Sequence, residues 1–341
     1  MEQKTSSGKN NISILGGGSW GTALALMQTQ SGWNVTLWEF QKDLAAQMSK
    51  IRENRTFLPG FKLPESLRIT SDLEEAVSRS DYIAFVVPSH VLRSVVQGVA
   101  PYVDDSKKFI SATKGIENGT LMRMSEIIIQ ELSNVSNVPI AVLSGPSFAA
   151  EVARGLPTAV VAASADEAYA REVQGIFMCP SFRVYANTDV TGVELGGSFK
   201  NIIAIASGIA DGVGFGDNSK AALLTRGIVE MTRLGEKLGA NPKTFSGLSG
   251  MGDLILTCMG KLSRNLHVGF ELGKGKGLDD ILGEMVNVAE GVKTAQAVRE
   301  LSRREGVEIP IMEKVCQILF DGVNPHDAVV DLMTRGPKTE H

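Results

Sequence analysis

A glycine-rich turn near the start of the chain constrains the fold more than any other stretch of the sequence. In residues 14–25, ILGGGSWGTALA, the pattern Gly16-x-Gly18-x-x-Gly21 separates an apolar run from an alanine-rich one. Between a strand and a helix, the first glycine permits a tight turn, the second lets the backbone approach a pyrophosphate, and the third lets the helix pack closely on the sheet. The sequence therefore predicts a dinucleotide-binding βαβ unit whose helix directs free N–H groups at the phosphates.

Apolar β-rich runs alternate with helical patterns through the first half of the chain. This alternation predicts a mainly parallel, doubly wound α/β sheet of the Rossmann-like type, which we expect to span residues 1–188. The predicted strands are Asn11–Leu15, Asn34–Trp38, Tyr82–Val87, Lys108–Ser111 and Pro139–Leu143, with Thr158–Ala162 and Phe182–Tyr185 as candidate extensions of the sheet. The predicted helices are Ala23–Gln30, Lys42–Lys50, Asp72–Ser78, Val91–Ala100 and Leu121–Leu132.

The second half of the chain has helical spacing without convincing strands between the helices. We expect residues 189–341 to form an all-helical C-terminal domain that binds the substrate. The glycine-rich segment Ser207–Gly216 is predicted to be a loop between two helices, since no strand precedes it as a phosphate-binding turn would require. The predicted helices are Val190–Ala210, Ser219–Gly239, Leu278–Met285, Val292–Glu305, Ile311–Phe320 and Pro325–Met333.

Net charge and cysteine content limit the partners and the compartment. The 341 residues carry a formal net charge of −4, without the basic surplus typical of nucleic-acid-binding proteins. Cys179, Cys258 and Cys316 are odd in number and widely spaced, which predicts no disulfide framework and no metal site and fits a reducing compartment. Residues Met1–Asn10 lack the apolar core of a signal peptide, and no later run is long enough to span a membrane. We therefore expect a cytoplasmic protein that binds neither nucleic acid nor membrane.

An acidic residue at the end of the second predicted strand bears on the choice of cofactor. Glu39 lies 18 positions after Gly21, close to the spacing of about 20 expected for the acid that binds the adenosine ribose hydroxyls. A carboxylate there would repel the 2′-phosphate of NADP. The alternative is a solvated loop glutamate, and Lys42 nearby keeps NADP(H) open.

Four further stretches place lysine, arginine and asparagine among glycines and small residues. Lys114 and the turn at 144–149 each follow a predicted strand, at the edge where open parallel sheets bind ligands. Lys200 lies within an otherwise apolar predicted helix, where burial would lower its pKa toward that of a general base. On the residues alone, each charge could equally be a solvated side chain, and Asp253 could be a helix cap. The stretches are 111–116 (SATKGI), 143–149 (LSGPSFA), 196–201 (GGSFKN), and 251–254 (MGDL) with 263–265 (SRN).

Taken in order, these motifs resemble those of one enzyme family. GGGSWGTALA, TKGIE, LSGPSFA, a GxxxKN lysine, SGLSGMGDLILTC, SRN and VAEG are similar in sequence and order to the motifs of bacterial-type NAD(P)-dependent glycerol-3-phosphate dehydrogenases. The resemblance extends from about Ile12 to Gly336. It implies interconversion of sn-glycerol 3-phosphate and dihydroxyacetone phosphate, usually in the direction that supplies the phospholipid backbone.

The resemblance also implies roles for individual residues. Lys200 would be the proton acceptor, Lys114 would polarise the carbonyl, and Asp253 would orient Lys200. Arg264 with Asn265 would clamp the phosphate dianion. The predicted cofactor site combines residues indicated by the spacing, Gly16, Gly18, Gly21 and Glu39, with residues that the resemblance implies, Ser19, Trp20, Lys114, Ala149, Arg264, Val288 and Glu290. The implied substrate site comprises Lys114, Gly145, Ser147, Lys200, Asp253, Ser263, Arg264 and Asn265.

The sequence departs from the family pattern just after the second strand. Many bacterial members carry a basic residue there, whereas residues 38–41 of this chain are WEFQ. We therefore expect NAD(H) to be preferred, with NADP(H) as a possible second cofactor. We also expect a homodimer, although no motif marks its interface.

Two other functions remain open at the level of sequence. One is a β-hydroxyacid dehydrogenase of the 6-phosphogluconate dehydrogenase type, which also places a lysine on a helix after a Rossmann domain. The TKGIE, GDL and SRN stretches speak against it. The other is a non-catalytic protein that senses NADH, against which the retained set of polar residues argues.

Overall fold

The computed structural model describes residues 11–285, 288–337 and 339. Residues 1–10, for which we expect no signal peptide, lie outside this description, as do the last residues of the predicted C-terminal domain. The described residues contain ten strands: β1 (Asn11–Leu15), β2 (Asn34–Trp38), β3 (Glu53–Asn54), β4 (Leu58–Lys62), β5 (Arg68–Thr70), β6 (Tyr82–Phe85), β7 (Lys108–Ser111), β8 (Ile140–Ser144), β9 (Thr158–Ala163) and β10 (Phe182–Asn187).

Eight of these strands form one sheet in the order β10-β9-β8-β7-β6-β1-β2-β5. All neighbours run parallel except β8 and β9. Ile12, Ile14 and Leu15 of β1 are fully buried, as expected for a parallel strand covered on both faces. The predicted mainly parallel, doubly wound sheet is confirmed, and the predicted strands end within two residues of the observed ones.

Helices cover both faces of the sheet. Those of the first half are α1 (Ser19–Gln30), α2 (Lys42–Ile51), α3 (Leu73–Ser78), α4 (Leu92–Val99), α5 (Met124–Glu131), α6 (Ala149–Ala153) and α7 (Glu167–Phe177). Two hydrophobic clusters pack the sheet against them, one containing Ile12 and Leu37, the other Leu15 and Phe85.

The second half is helical, as predicted, and is built around one long central helix. Its helices are α8 (Val190–Val213), α9 (Asp217–Lys237), α10 (Pro242–Phe245), α11 (Asp253–Met259), α12 (Arg264–Gly273), α13 (Leu278–Glu284), α14 (Glu290–Glu305), α15 (Pro310–Phe320) and α16 (Pro325–Met333). Residues 192–210 of α8 are all buried. A helix made of small and apolar residues all round is stable only inside a core, and the other helices surround α8.

The predicted loop at Ser207–Gly216 is wrong. Helix α8 continues through this segment to Val213, and only Gly214–Gly216 connect it to α9. Gly208 and Gly212 are required for packing against α12, since a Cβ at Gly208 would lie 2.1 Å from the carbonyl oxygen of Leu266 and one at Gly212 would lie 2.3 Å from that of Phe270. Glycine at these positions lets two helix backbones touch.

The sequence pattern also missed short elements. The hairpin β3–β4 contains Pro59 and Gly60, and Gly60 has φ +85°. Both residue types are uncommon inside strands, so the sequence pattern does not indicate one here. Helices α6, α7, α10, α11 and α12 were not predicted, since most are short or begin in the polar stretches that we interpret as site residues.

Three further observations concern the whole described chain. Most of the largest hydrophobic cluster comes from residues after 188, and on this basis we propose the division into 1–188 and 189–341. Among the described residues, no helix has the length and hydropathy needed to cross a membrane. Within the same ranges, no cluster of three or more His, Cys, Asp or Glu side chains is arranged to hold a metal ion.

Candidate active site

The three glycines of the Gly16-x-Gly18-x-x-Gly21 pattern differ in what surrounds them. Gly16 has φ +125°, and a Cβ there would lie 2.5 Å from the carbonyl oxygen of Val86, the residue that follows β6. A Cβ on Gly21 would lie 1.9 Å from the carbonyl oxygen of Gly16. Gly18 has no atom within 4 Å of such a Cβ and lines a cavity. The turn is therefore tight at its first glycine, closely packed at its third, and open at the second, where a pyrophosphate would lie.

This cavity has a volume of about 910 Å³ and runs from the glycine-rich turn to Lys200 in α8. Its size is within the range of about 300–1,000 Å³ typical of ligand sites. It brings together most of the residues that the sequence predicts. The predicted residues that line it are Gly16, Gly18, Ser19, Trp20, Glu39, Lys114, Ser147, Ala149, Lys200, Asp253, Ser263, Arg264, Asn265, Val288 and Glu290.

Two predicted residues do not line the cavity but shape it. Gly21 packs α1 against the turn, as described above. Gly145 has φ +143°, and a Cβ there would lie 2.9 Å from the Cα of Val160. Its carbonyl oxygen accepts hydrogen bonds from Ser147 Oγ (3.0 Å) and Lys114 Nζ (3.4 Å). Gly145 therefore contributes through its backbone, by holding two cavity-lining side chains.

Glu39 is buried rather than solvated, with 6% of its surface exposed. Its Oε1 accepts a hydrogen bond from the N–H of Gln41 at 2.9 Å, and its carboxylate also accepts from the N–H of Gly17. Burial raises the pKa of Glu39, while these two hydrogen bonds act in the opposite direction. The carboxylate is thus fixed at the end of β2, next to the glycine-rich turn.

A carboxylate shared by two lysines lies at the other end of the cavity. Asp253 begins α11, and its side chain is 2% exposed. Its Oδ2 accepts from Lys114 Nζ at 2.6 Å, and its Oδ1 accepts from Lys200 Nζ. Lys114 follows β7 in the sheet half, whereas Lys200 and Asp253 belong to the helical half. The three charges therefore join the two halves of the chain at the cavity.

Lys200 has the environment of a general base. Its Nζ also donates to Thr257 Oγ1 at 2.7 Å. Burial and, to a lesser extent, the positive charge of Lys114 lower the pKa of Lys200 to about 8, against the opposing effect of the carboxylate of Asp253. A lysine with a pKa near neutral pH can both accept and return a proton.

Arg264 is a cation of the cavity that is available to an anion. No hydrogen bond or ion pair of Arg264 is formed within the described part of the chain. Its side chain reaches solvent through the cavity, yet the surrounding walls remove enough water to lower its pKa, and only the charge of Glu290 opposes this. The guanidinium therefore faces the cavity without a fixed partner, as a phosphate-binding arginine would.

The neighbours of Arg264 are held in place by α12 and its contacts. Ser263 caps α12 by accepting the N–H of Leu266 at 3.2 Å. Asn265 donates to Asn201 Oδ1 at 2.9 Å and accepts the N–H of Gly291 at 3.0 Å. Asn265 therefore already has two hydrogen-bond partners within the protein. Arg264, the other member of the predicted phosphate clamp, has none among the described residues.

Glu290, implied to contact the cofactor, links the two halves of the chain. It begins α14, and its carboxylate accepts from Ser89 Oγ at 2.5 Å and from the N–H of Ser89 at 3.2 Å. Ser89 lies just beyond β6 in the sheet half. Burial raises the pKa of Glu290. Glu290 thus closes one wall of the cavity, next to Val288.

Sequence reasoning missed several cavity residues. Thr257 and Asn201 lie one turn or one residue from predicted positions, so helical spacing from Asp253 and adjacency to Lys200 were the signals that could have found them. The hairpin β3–β4 contributes Phe57 and Phe61, for which no motif of the sequence gives a signal.

Comparison with known proteins identifies two matching family models that together cover most of the chain. Residues 11–170 match the N-terminal model described as NAD-dependent glycerol-3-phosphate dehydrogenase, and residues 189–330 match the corresponding C-terminal model. Neither half matches through a single motif; each matches over nearly its full length.

Individual relatives agree with the family models. The protein named glycerol-3-phosphate dehydrogenase (NAD(P)+) of Geobacter sulfurreducens is 52% identical over 329 residues, which cover 96% of this chain and 98% of that protein. Its counterpart in Syntrophotalea carbinolica is 52% identical over 330 residues, covering 97% and 99%. A crystal structure of glycerol-3-phosphate dehydrogenase from Coxiella burnetii matches with a TM-score of 0.92 and 39% identity, covering 96% of this chain and 99% of that one.

Proposed function

Because this chain belongs to the NAD-dependent glycerol-3-phosphate dehydrogenase family, we propose that its cavity interconverts sn-glycerol 3-phosphate and dihydroxyacetone phosphate. The chain is an NAD(P)-dependent oxidoreductase. The observation that carries the proposal is the Lys114–Asp253–Lys200 cluster, which lies in the same cavity as the open second glycine of the dinucleotide turn. The candidate proton acceptor and the candidate cofactor site therefore lie in the same cavity.

Each step of the chemistry has a residue of the chain to support it. As a free amine, Lys200 takes the proton of the substrate hydroxyl, and in the reverse direction its ammonium returns that proton. Asp253 and Thr257 fix Lys200 Nζ, while Lys114 places a positive charge where the substrate oxygen develops negative charge. Arg264 binds the phosphate dianion.

The residues present fit a dinucleotide cofactor. Gly18 leaves room for a pyrophosphate at the N-terminus of α1, and Glu39 can accept hydrogen bonds from ribose hydroxyls at the end of β2. When bound, NAD(P)+ supplies the hydride acceptor.

We propose that NAD(H) is preferred, with NADP(H) a possible second cofactor. The fixed carboxylate of Glu39 supports this preference, because it would meet a 2′-phosphate as a like charge. Glu39→Arg should raise kcat/KM for NADPH relative to NADH. Equal use of NADPH by the wild type, with no change in the variant, would show that Glu39 does not contact the ribose.

The decisive test is oxidation of NADH with dihydroxyacetone phosphate, followed at 25 °C in the absence of other substrates. Turnover is expected with this ketone. In the oxidative direction, glycerol 3-phosphate should be used in preference to 6-phosphogluconate and 3-hydroxyisobutyrate. NADH binding without any turnover would leave the sensing alternative, and faster turnover of 6-phosphogluconate would overturn the proposed substrate.

We further propose a homodimer in the cytoplasm that supplies glycerol 3-phosphate for phospholipid synthesis. Three cysteines that form no disulfide among the described residues support a reducing compartment. Sedimentation equilibrium of the purified chain tests the dimer, since a mass near 36.5 kDa would contradict it.

A further inference from the structure

The side chain of Asn54 lies buried against the glycine-rich turn. Asn54 ends β3 and is fully buried. Its Nδ2 donates to the carbonyl oxygen of Gly17 at 2.7 Å and to Thr22 Oγ1 at 2.8 Å. Its Oδ1 accepts the N–H of Phe57 at 3.0 Å. A buried carboxamide with three partners holds those partners in one arrangement, because breaking any of them leaves a buried polar group unpaired.

The carbonyl of Gly17 belongs to the same peptide plane as the N–H of Gly18. Thr22 Oγ1 donates to this carbonyl as well, at 3.2 Å. In a trans peptide the C=O and N–H point in opposite directions. Because Asn54 and Thr22 hold the oxygen on one side, the N–H of Gly18 is turned to the other side, and Gly18 lines the open part of the cavity.

The same side chain ties the hairpin β3–β4 to the turn. While Asn54 holds the N–H of Phe57, Ser19 Oγ donates to the carbonyl oxygen of Phe57 at 2.7 Å. Phe57 itself lines the cavity. Phe57 of the hairpin is therefore held at its N–H by Asn54, which itself binds the turn, and at its carbonyl oxygen by Ser19.

We propose that Asn54 is a positioning residue for the cofactor pyrophosphate, which acts by fixing the Gly17–Gly18 peptide so that the N–H of Gly18 faces the phosphates. This proposal rests on the proposed dinucleotide site. Asn54 does not reach the reacting atoms, so its removal acts on cofactor affinity and leaves the chemical step in place.

The test compares ligands that have a pyrophosphate with one that has none. Asn54→Leu removes the donors at similar volume. The Kd of NADH and of ADP should rise on the order of tenfold, as expected for losing a neutral hydrogen bond that orients a phosphate donor. The Kd of adenosine, and kcat at saturating NADH, should stay within about twofold, because neither depends on the Gly18 N–H.

Gln28→Leu is the matched control. Gln28 lies on α1, the helix that follows the turn, is 1% exposed, and donates from its buried Nε2 to the carbonyl oxygen of Ile176 at 2.9 Å, away from the turn. This variant also removes a buried carboxamide, with one hydrogen bond where Asn54→Leu loses three, and should bind ADP as the wild type does. Should Asn54→Leu not fold, Thr22→Val takes its place and should weaken ADP binding in the same selective way, with Thr22→Ser restoring it.

Two results would overturn the proposal. One is an equal loss of ADP and adenosine affinity, which would mean that Asn54 only maintains the general shape of the domain. The other is unchanged ADP affinity in both Asn54→Leu and Thr22→Val. Failure of the proposed function has a different signature, since the wild type itself would then not bind NADH.

Discussion

Asp253 illustrates how a single buried residue sets the chemistry of the cavity. A carboxylate that is 2% exposed would be costly alone, but two ammonium groups compensate it. With both lysines charged, the cluster carries one net positive charge, which suits a phosphorylated substrate. The two lysines differ in exposure, since 8% of the Lys200 side chain and 21% of the Lys114 side chain are exposed. The more buried Lys200 is the better proton acceptor, because burial lowers its pKa.

Replacing Lys200 by methionine tests the base directly. Lys200→Met keeps the aliphatic bulk and removes the proton acceptor. General acid–base catalysis typically contributes about 10²–10⁴ in rate, so kcat should fall by at least the lower figure, while NADH affinity stays within a few-fold. Lys237→Met, at an exposed lysine near the end of α9, is the control and should be fully active. A Lys200→Met enzyme that keeps more than about a tenth of kcat would assign the role elsewhere, with Lys114 the next candidate.

The pH dependence of the two directions should be opposite. Oxidation of glycerol 3-phosphate requires the free amine of Lys200, so kcat/KM should rise as pH increases through the pKa of about 8. Reduction of dihydroxyacetone phosphate requires the ammonium, so its kcat/KM should fall over the same range. Because Asp253 raises the pKa of Lys200, Asp253→Asn should move both midpoints to lower pH. Midpoints that do not move would show that Lys200 is not the titrating group.

At the scale of elements, the crossing of α8 and α12 decides where the lysine lies. A Cβ at Gly269 of α12 would lie 2.0 Å from the carbonyl oxygen of Ile205, and one at Gly273 would lie 2.5 Å from that of Ile209. Together with Gly208 on α8, these glycines bring the two backbones into contact. The close crossing places Arg264, at the start of α12, in the same cavity as Lys200.

Gly269→Val should therefore destabilise the protein through this crossing. The branched side chain has no space, and overpacking of this kind costs about 1–3 kcal/mol or more; a fall in Tm of several degrees is expected. Gly216→Ala is the control, because Gly216 has ordinary backbone angles and no atom within 4 Å of an added Cβ. Thermal unfolding followed by circular dichroism measures both. An unchanged Tm for Gly269→Val would mean that the helices can separate at no cost.

At the scale of the whole molecule, the two halves are joined by a buried carboxylate away from the cavity. Glu194 of α8 accepts from Arg123 at 2.7 Å, from the N–H of Ser125 at 2.8 Å and from Ser125 Oγ at 2.7 Å. Its side chain is 3% exposed. Arg123 and Ser125 lie at the start of α5, just after the loop that carries Lys114, so this contact supports the geometry of the lysine cluster.

Glu194→Ala should be strongly destabilising, by about 3 kcal/mol, because it leaves the guanidinium of Arg123 and the N–H of Ser125 without their buried partner. The control is Glu126→Ala, which removes the other, 41% exposed partner of Arg123 and should cost only about 1 kcal/mol. Urea unfolding followed by tryptophan fluorescence gives both values. Equal effects of the two substitutions would contradict a special role for the buried contact.

Much of the candidate site was predictable because its determinants are local. The glycine spacing of the first turn, the acid after β2 and the lysine in an apolar helix are each properties of a few neighbouring residues. Where the sequence misled, the cause was non-local: Ser207–Gly216 contains loop-forming residues, yet Gly208 is helical because α12 packs against it. The hairpin β3–β4 was missed because Pro59 and Gly60 are untypical of a strand, and its contact with the turn, between Asn54 and the distant Gly17, has no local signal.

The sequence by itself determined the fold class and the dinucleotide turn, because strand and helix periodicity and the conformational freedom of glycine are written in adjacent positions. The sequence also indicated Lys114, Lys200 and Asp253, the charged residues of the cluster, as candidate site residues. Only the tertiary structure decided that Asp253 serves Lys114 and Lys200 together, that Arg264 is left without a partner among the described residues, and that Asn54 holds the turn. The contacts of Asp253 with the two lysines and of Asn54 with Gly17 join residues 37 to 139 positions apart, and their geometry is fixed by packing between elements, which no local pattern encodes.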